Sequence, residues 1–244
     1  ICALETGLCN YVLVSYGDNA ISGGRTFGRG FHDDPVFGQF GAASGYAMAA
    51  RRAMHLFHTG PETWKEIAVG QRKWANLNPR AMMYGHTMTL EKYYNFKWVV
   101  EPFRLCDCCL VSDGGRAYIV TSVDRARDLQ QPPAVIMGVG QHHPSFSIEH
   151  VTYMAGPTGA KIAGEMAFKM AGITIDDIDA CEMYDCFTYT VEITLQDYGF
   201  FKPGGGEDWF RDGAIAPGGR MPVNTSGGLL SEAYFMGLTP LTEG

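Results

Sequence analysis

The stretch DACEMYDCFTYTVEITLQDY at residues 179–198 decides the fold class. Its first part, from Ala180 to Tyr184, predicts a β-strand, and the part from Phe187 to Tyr198 predicts a helix that begins where the strand ends. An amphipathic helix is predicted at Gly159–Ala171, and Gly172 closes it. A strand between two helices indicates an α/β protein, in which sites form where strand ends meet helix starts.

The residues before this stretch continue the alternation of strands and helices. Strands are predicted at 11–16 and 117–121, with a turn at 111–115 before the second. Between them lies a helix-rich insertion at about 38–100, with helices predicted at 44–58, 62–76, 78–84 and 89–96. A helix at 124–129 and a strand at 134–139 follow, so we predict one unit at 1–128 and a second at 129–244.

Composition narrows the class of protein. With 46% hydrophobic residues the 244-residue chain can bury a substantial core, and its net charge of -7 gives no basic surface for nucleic acid. Seven cysteines, an odd number, indicate a reducing, intracellular compartment, and no apolar run is long enough to span a membrane. Because the chain starts without Met inside an apparent helix at 1–6, we expect it to be an internal part of a longer subunit.

Three motifs suggest chemistry that the sequence does not support. The cysteines of CDCC at 106–109 have no second ligand pair at zinc spacing, so we predict no metal site there. His142 and His143 stand beside Pro144, where a solvated loop is the simpler interpretation. GVG at 138–140 lacks the third glycine of a dinucleotide fingerprint, which excludes an NAD site of that kind.

Five segments in combination resemble the thiolase superfamily, and within it the sterol-carrier-type thiolases: ETGLC at 5–9, ANLNP at 75–79, VSDG at 111–114, DACEMYDCF at 179–187 and NTSGGLLSE at 224–232. The resemblance implies the thiolase fold, two similar α/β halves in a five-layered αβαβα arrangement with a helix-rich loop insertion. In that family the nucleophilic Cys begins the helix whose tail corresponds to residues 1–6. Its position therefore lies before residue 1.

Two positions depart from the family pattern. Claisen-type members read Glu-x-Asn-Glu-Ala-Phe in one loop and Gly-Gly-x-x-x-x-Gly-His-Pro-x-Gly in another. Here the loops read EMYDCF at 182–187 and GGLLSEAYFMG at 227–237, so Tyr184 replaces the Asn and Tyr234 replaces the His. The resemblance thus places tyrosine at two catalytic positions.

Tyrosine changes the chemistry that these positions can support. Its reference pKa is roughly 10, so forming a phenolate at pH 7 costs about 4 kcal/mol and the side chain cannot replace a near-neutral base. A tyrosine hydroxyl can instead donate a hydrogen bond to an oxyanion or exchange a proton with an alkoxide or enolate. Retro-aldol cleavage of a β-hydroxyacyl-CoA needs that assistance and requires no acyl-enzyme.

With tyrosine in both loops the chain looks most like bacterial steroid side-chain aldolases of the superfamily. That resemblance implies a 17-hydroxy steroid CoA thioester as substrate and a 17-ketosteroid and propionyl-CoA as products, in the bacterial cytoplasm. It also implies a homodimer that binds a partner with an OB-fold and zinc-ribbon, giving a heterotetramer. Coenzyme A is then part of the substrate, and no cofactor is expected.

The same resemblance suggests roles for five residues. Tyr234 is assigned to the β-hydroxyl proton and Tyr184 to the enolate, while Asp185, Cys109 and Glu232 are expected to contact the substrate. Two other functions stay open at this point. One is a thiolase acyltransferase (acetyl-CoA acyltransferase-like) that keeps the upstream Cys, and the other is a non-catalytic protein that binds acyl-CoA or lipid.

Overall fold

A computed structural model describes residues 1–24, 34–145, 148, 151 and 153–243 of the chain. The chain begins with α1 (Cys2–Glu5) and β1 (Tyr11–Asn19). β1 pairs antiparallel with β4 (Asp113–Thr121), in a register that sets Tyr11 opposite Thr121 and Asn19 opposite Asp113. The predicted strands are confirmed but longer, since part of the predicted turn at 111–115 already belongs to the ladder.

The insertion between these strands is built on two long helices. α2 (Ala42–Phe57) is followed by its C-cap His58, whose φ of 56° is left-handed. α3 (Pro61–Ala75) carries proline in its first turn, where the missing N–H costs nothing. Further along come α4 (Leu90–Tyr93) and a small ribbon of β2 (Trp98–Val100) and β3 (Phe103–Arg104), followed by a 3-10 turn at Leu105–Asp107. Another 3-10 turn, Asp34–Phe37, precedes α2.

The described residues after β4 are mostly helical. After α5 (Val123–Ala126) come α6 (Gly159–Ala171), α7 (Thr188–Tyr198), α8 (Gly206–Phe210), α9 (Gly228–Ser231) and α10 (Leu238–Leu241). 3-10 turns lie at Ile175–Asp177 and Arg211–Gly213. None of the described helices has the length and apolar character needed to cross a bilayer.

Part of the hydrophobic core lies around the N-terminal side of α7. Seven of its side chains are buried, and its N-terminal side meets an aromatic cluster in which Phe187 stacks on Phe103 with ring centroids 5.0 Å apart. Trp64 of α3 lies 5.5 Å from Phe103 and 6.4 Å from Tyr189. The insertion is therefore packed directly against α7, the helix that follows the loop carrying Tyr184.

Several predicted elements differ from the structure. The predicted strand at 180–184 is reduced to a single bridge between Cys181 and Val223, and 134–139 carries no ladder pairing among the described residues. A strand needs a neighbouring strand to satisfy its backbone, and local sequence does not supply one. Instead, the backbones of Gly138 and Gly140 face α6 so closely that an added Cβ would lie 2.2 Å and 1.9 Å from carbonyl oxygens of Ala167 and Ala163.

The predicted helix at 78–84 is a series of turns, and that at 89–96 contains only α4. The backbone N–H groups of Met82 and Met83 donate to the carbonyls of Glu232 and Ser231, at 2.9 Å and 3.2 Å, which removes them from an i→i−4 ladder. The segment 78–84 is thereby fixed against the loop that carries Tyr234. The predicted boundary between 128 and 129 stays a prediction.

Candidate active site

The two tyrosine-bearing loops lie side by side. The N–H of Cys181 donates to the carbonyl of Pro222 and the N–H of Asn224 to the carbonyl of Cys181, both at 2.9 Å. Asn224, which has a left-handed φ of 50°, also accepts from the N–H of Met183 through its Oδ1 at 2.8 Å. These bonds fix the register between the first loop, residues 181–187, and the second loop, residues 222–237.

A third segment, residues 109–112, closes the site from another side. Cys109 N–H donates to the Cys186 carbonyl and Leu110 N–H to the Leu229 carbonyl, each at 2.9 Å. Ser112 Oγ then accepts from the N–H of Tyr234 at 2.9 Å. One short segment is thus bonded to both loops, so the positions of Tyr184 and Tyr234 depend on the same backbone.

The two tyrosine hydroxyls meet. Tyr184 Oη and Tyr234 Oη are 2.9 Å apart, and the rings are arranged edge to face with centroids 6.4 Å apart. The Tyr234 hydroxyl donates to the thioether sulfur of Met236 at 2.8 Å, and that sulfur lies 3.9 Å from the Tyr184 hydroxyl. Since 38% of Tyr184 is exposed, the pair is open to an incoming molecule.

Both hydroxyls are held neutral at physiological pH. Burial raises the pKa of Tyr234 to about 12, although the hydrogen bond with Tyr184 works in the opposite direction. Burial also raises the pKa of Tyr184, helped by the neighbouring Cys186 and by Tyr234 itself. Two neutral phenols can each donate one hydrogen bond and accept another, but neither is a ready-made base.

Asp185 follows Tyr184 in the first loop and is completely buried. Its two oxygens accept from the N–H groups of Leu229 at 2.8 Å and Leu230 at 3.2 Å. Burial raises the pKa of this carboxyl to about 7 against the effect of those bonds. The substrate contact predicted for Asp185 gains no support from this geometry, which gives the carboxylate a supporting role inside the protein.

Glu232 is also turned inward, with 1% of its surface exposed. It forms an ion pair with Arg116 of β4, and Asn78 Nδ2 lies 3.3 Å from its Oε1. Arg116 donates in addition to Thr242 Oγ1 at 2.8 Å. The substrate contact predicted for Glu232 is likewise unsupported by its position, because the carboxylate joins the second loop to the β1–β4 ribbon.

Cys109 is half-buried beside the first loop, and burial raises the pKa of its thiol to about 12. The thiol is therefore neutral and suits an apolar contact better than nucleophilic chemistry. Its predicted contact with substrate stays a prediction.

Sequence reasoning missed two groups, one that bonds to the tyrosine pair and one that bonds to the start of α7. Met236 was one, and a second is Asp107, whose carboxylate accepts from Tyr93 at 2.8 Å and from Thr188, the first residue of α7, at 2.8 Å. Burial raises the pKa of Asp107 to about 6. Its position between Cys106 and Cys108 was the available signal, since an acidic residue in an apolar run needs partners.

The chain is similar to known proteins in both sequence and structure. Residues 140–243 match the family described as "Thiolase C-terminal domain-like". A solved "Ltp2-ChsH2(DUF35) aldolase" superimposes with a TM-score of 0.91 at 36% identity, covering 99% of this chain and 65% of that one. The chain therefore has the thiolase fold, and its residues 140–243 are similar to thiolase C-terminal domains, which confirms the predicted resemblance and fold class.

Within that fold the chain is similar to two bacterial proteins. It is 40% identical to the "Steroid side-chain-cleaving aldolase" of Thermomonospora curvata, over 85% of this chain and 54% of that protein. It is 39% identical to the "17-hydroxy-3-oxo-4-pregnene-20-carboxyl-CoA lyase" of Mycobacterium tuberculosis, over 83% of this chain and 53% of that protein. The chain spans about half the length of these curated relatives.

Proposed function

We propose that the protein containing this chain is a carbon–carbon lyase that cleaves the side chain of a 17-hydroxy steroid CoA thioester by a retro-aldol reaction. The products are a 17-ketosteroid and propionyl-CoA. The observation that carries the proposal is the contact of two neutral tyrosine hydroxyls, 2.9 Å apart, where the two loops meet. The names of the two similar bacterial proteins support the substrate class.

The reaction can be written with both tyrosines neutral at its start and end. The bond between C17 and the α-carbon of the thioester breaks, and its electron pair forms the thioester enolate. The 17-hydroxyl oxygen becomes the ketone oxygen as its proton passes to Tyr234. Tyr234 gives its own proton to Tyr184, and Tyr184 gives its proton to the enolate carbon.

The neighbouring groups suit this scheme. Because the pKa values of both hydroxyls are raised, a proton-transfer pair in which each phenol receives one proton while losing another avoids a free phenolate. The sulfur of Met236 accepts a hydrogen bond from Tyr234 in the resting site and has no proton to give, so it holds the hydroxyl in place without competing as an acid. The Tyr234 O–H turns from the sulfur to Tyr184 when its proton is transferred. The scheme transfers only protons through the protein, and we propose that no cofactor takes part.

The test uses the full-length protein, alone and with its candidate partner. Substrates are a 17-hydroxy steroid side-chain CoA thioester and, separately, acetoacetyl-CoA with free CoA. Release of ketosteroid and propionyl-CoA from the first is the expected result. Thiolysis of the second would instead support the acyltransferase alternative.

Three variants identify the groups involved. Tyr184→Phe and Tyr234→Phe remove only the hydroxyls, and each is expected to lower kcat by about 10²- to 10⁴-fold. Tyr189→Phe is the matched control, since Tyr189 is buried in α7 against Trp64 and away from the pair. Unchanged lyase activity in both site variants would exclude the two hydroxyls from the reaction. Binding of the CoA thioester with no product from the parent protein would favour a non-catalytic acyl-CoA-binding protein.

The proposal extends to assembly and location. We propose a homodimer in the bacterial cytoplasm that binds an OB-fold, zinc-ribbon protein as a heterotetramer. The similar solved structure supports a partner protein, since its name joins Ltp2 to ChsH2(DUF35), and the seven unpaired cysteines support a reducing compartment. Light scattering of the protein with and without its partner tests the stoichiometry, and a mass unchanged by the partner would exclude it.

A further inference from the structure

The Asp185 carboxylate lies at the junction of the two tyrosine-bearing loops. It belongs to the first loop, directly after Tyr184, yet both of its oxygens bond to the second loop, at Leu229 (2.8 Å) and Leu230 (3.2 Å). Those two residues belong to α9, and Tyr234 follows three residues after that helix. A single side chain thus connects the backbone next to one catalytic hydroxyl with the helix that leads to the other.

The Asp185 carboxylate and the backbone of α9 are closely packed at this junction. A Cβ added to Gly228 would lie 2.3 Å from Asp185 Oδ2, closer than atoms in contact can come. Asp185 exposes none of its surface, so the contact cannot relax into solvent. The distance between the loops at this point is therefore set by direct contact between the carboxylate and the backbone of α9.

Other bonds hold the loops together independently. The bridge of Cys181 with Val223 and the bond from Met183 N–H to Asn224 join the loops directly, and the segment 109–112 joins them through its bonds to Cys186 and Leu229. None of these contacts uses the Asp185 side chain. Removing one acceptor at Asp185 should leave the fold intact and shift the loops slightly. A small shift is enough to matter, since a displacement of about 1 Å can cost roughly 10²-fold in rate.

We propose that Asp185 is a positioning residue that sets the separation of the Tyr184 and Tyr234 hydroxyls. It acts through the backbone of residues 228–230 and does not touch the substrate. The catalytic consequence rests on the proposed lyase function, whereas the effect on the hydroxyl separation does not. This role replaces the substrate contact predicted from the sequence.

The test compares three variants of the full-length protein. Asp185→Asn keeps the shape but turns an NH₂ group toward one of the two backbone N–H donors. Gly228→Ala disturbs the same contact from the opposite side, where φ is 61°. Gly172→Ala is the matched control, because Gly172 has a similar φ of 71° with nothing within 4 Å of its added Cβ. It measures the cost of left-handed strain alone.

For Asp185→Asn and Gly228→Ala we expect kcat to fall by about 10²-fold with KM close to that of the parent. Gly172→Ala should retain the parent kcat. A raised KM with unchanged kcat in Asp185→Asn would show substrate contact and overturn the proposal. So would a lower melting temperature with no change in either kinetic constant. If Asp185→Asn does not fold, Gly228→Ala decides by the same criteria.

A crystal structure of Asp185→Asn separates this proposal from the proposed function. The expected result is a separation of the two hydroxyl oxygens clearly greater than the 2.9 Å of the parent. This readout remains valid even if the parent protein cleaves no steroid thioester, in which case only the lyase proposal fails. An unchanged separation would overturn the positioning role.

Discussion

At the scale of single residues, Met236 is notable for both its backbone conformation and its side-chain contact with the site. Its φ of 53° is left-handed, a region that residues other than glycine seldom occupy. The strained backbone places the thioether sulfur against the Tyr234 hydroxyl at 2.8 Å. Residues in such conformations cluster at functional sites, where the surrounding structure maintains the strain.

Met236→Leu should lower kcat while leaving KM nearly unchanged. Leucine conserves the volume but accepts no hydrogen bond, so the Tyr234 hydroxyl loses its orientation. A neutral hydrogen bond contributes about 1 kcal/mol, which corresponds to roughly a fivefold loss in rate. Steady-state kinetics check this, with Met166→Leu on the exposed face of α6 as control. Equal kcat values for Met236→Leu and Met166→Leu would show that Met236 has no role in the site.

Arg116→Met should destabilise the protein strongly. The change leaves the buried Glu232 carboxylate without its cation, which costs about 3–5 kcal/mol. Urea unfolding of the full-length protein measures the loss. In the double variant Arg116→Met with Glu232→Leu, much of the loss should be recovered, because both charges of this buried ion pair are then absent. Arg211→Met, which breaks only exposed pairs with Glu207 and Asp208, should change stability by less than about 0.5 kcal/mol.

At the scale of elements, α3 joins the insertion to the rest of the chain. It contacts α7, α8 and α9, and Gly70 on its buried face allows the side chain of Ile215 to approach. A Cβ at Gly70 would lie 2.8 Å from Ile215 Cγ1. Close packing here holds residues 213–223, and with them the start of the second tyrosine loop.

Gly70→Ala should therefore destabilise the protein, although alanine is the better helix former. Overpacking of this kind costs about 1–3 kcal/mol, against a gain in helix propensity of about 1 kcal/mol. The double variant Gly70→Ala with Ile215→Ala, compared with Ile215→Ala alone, provides the control, because alanine lacks both Cγ1 and Cδ1 and leaves room for the new methyl group. Urea unfolding measures both. Greater stability of Gly70→Ala than of the parent would contradict the packing.

The same elements show what sequence could predict. Local sequence was sufficient to locate α2, α3, α6 and α7, although they differ in burial: Gly164 is the one buried residue of α6, whereas seven of the eleven residues of α7 are buried. The strand predicted at 180–184 failed because pairing depends on residues such as Val223, which lie far along the chain. Tyr184 and Tyr234 were found through their loops, whereas the inward turn of Asp185 and Glu232 follows from tertiary packing that no local pattern encodes.

At the scale of the whole molecule, four interior carboxyls share one electrostatic property. Burial raises the pKa of Asp107 to about 6 and those of Glu182, Asp185 and Glu192 to about 7. Each group binds its proton more tightly in the folded state than in the unfolded state. The stability that they contribute is present below the unfolded pKa of about 4 and is lost as pH rises through 6 to 7.

We expect the urea midpoint to decrease between pH 5 and pH 8. Exposed carboxyls with lowered pKa values, such as Asp113, act in the opposite direction but are screened by solvent. In Glu192→Gln the decrease in the urea midpoint should be smaller, because the amide does not titrate. Its oxygen can still accept from Trp64 Nε1, which lies 2.8 Å from the Glu192 carboxylate in the parent. A midpoint that rises over this range would contradict the raised pKa values.

The contact between the hydroxyls of Tyr184 and Tyr234 also determines how the reaction should respond to heavy water. If both phenols exchange protons in the cleavage step, more than one hydrogenic site contributes to the solvent isotope effect. The plot of kcat against the deuterium fraction of H₂O/D₂O mixtures should then bow downward. A straight line would mean that one phenol transfers its proton alone while the other only donates a hydrogen bond. The 2.9 Å separation favours the curved plot.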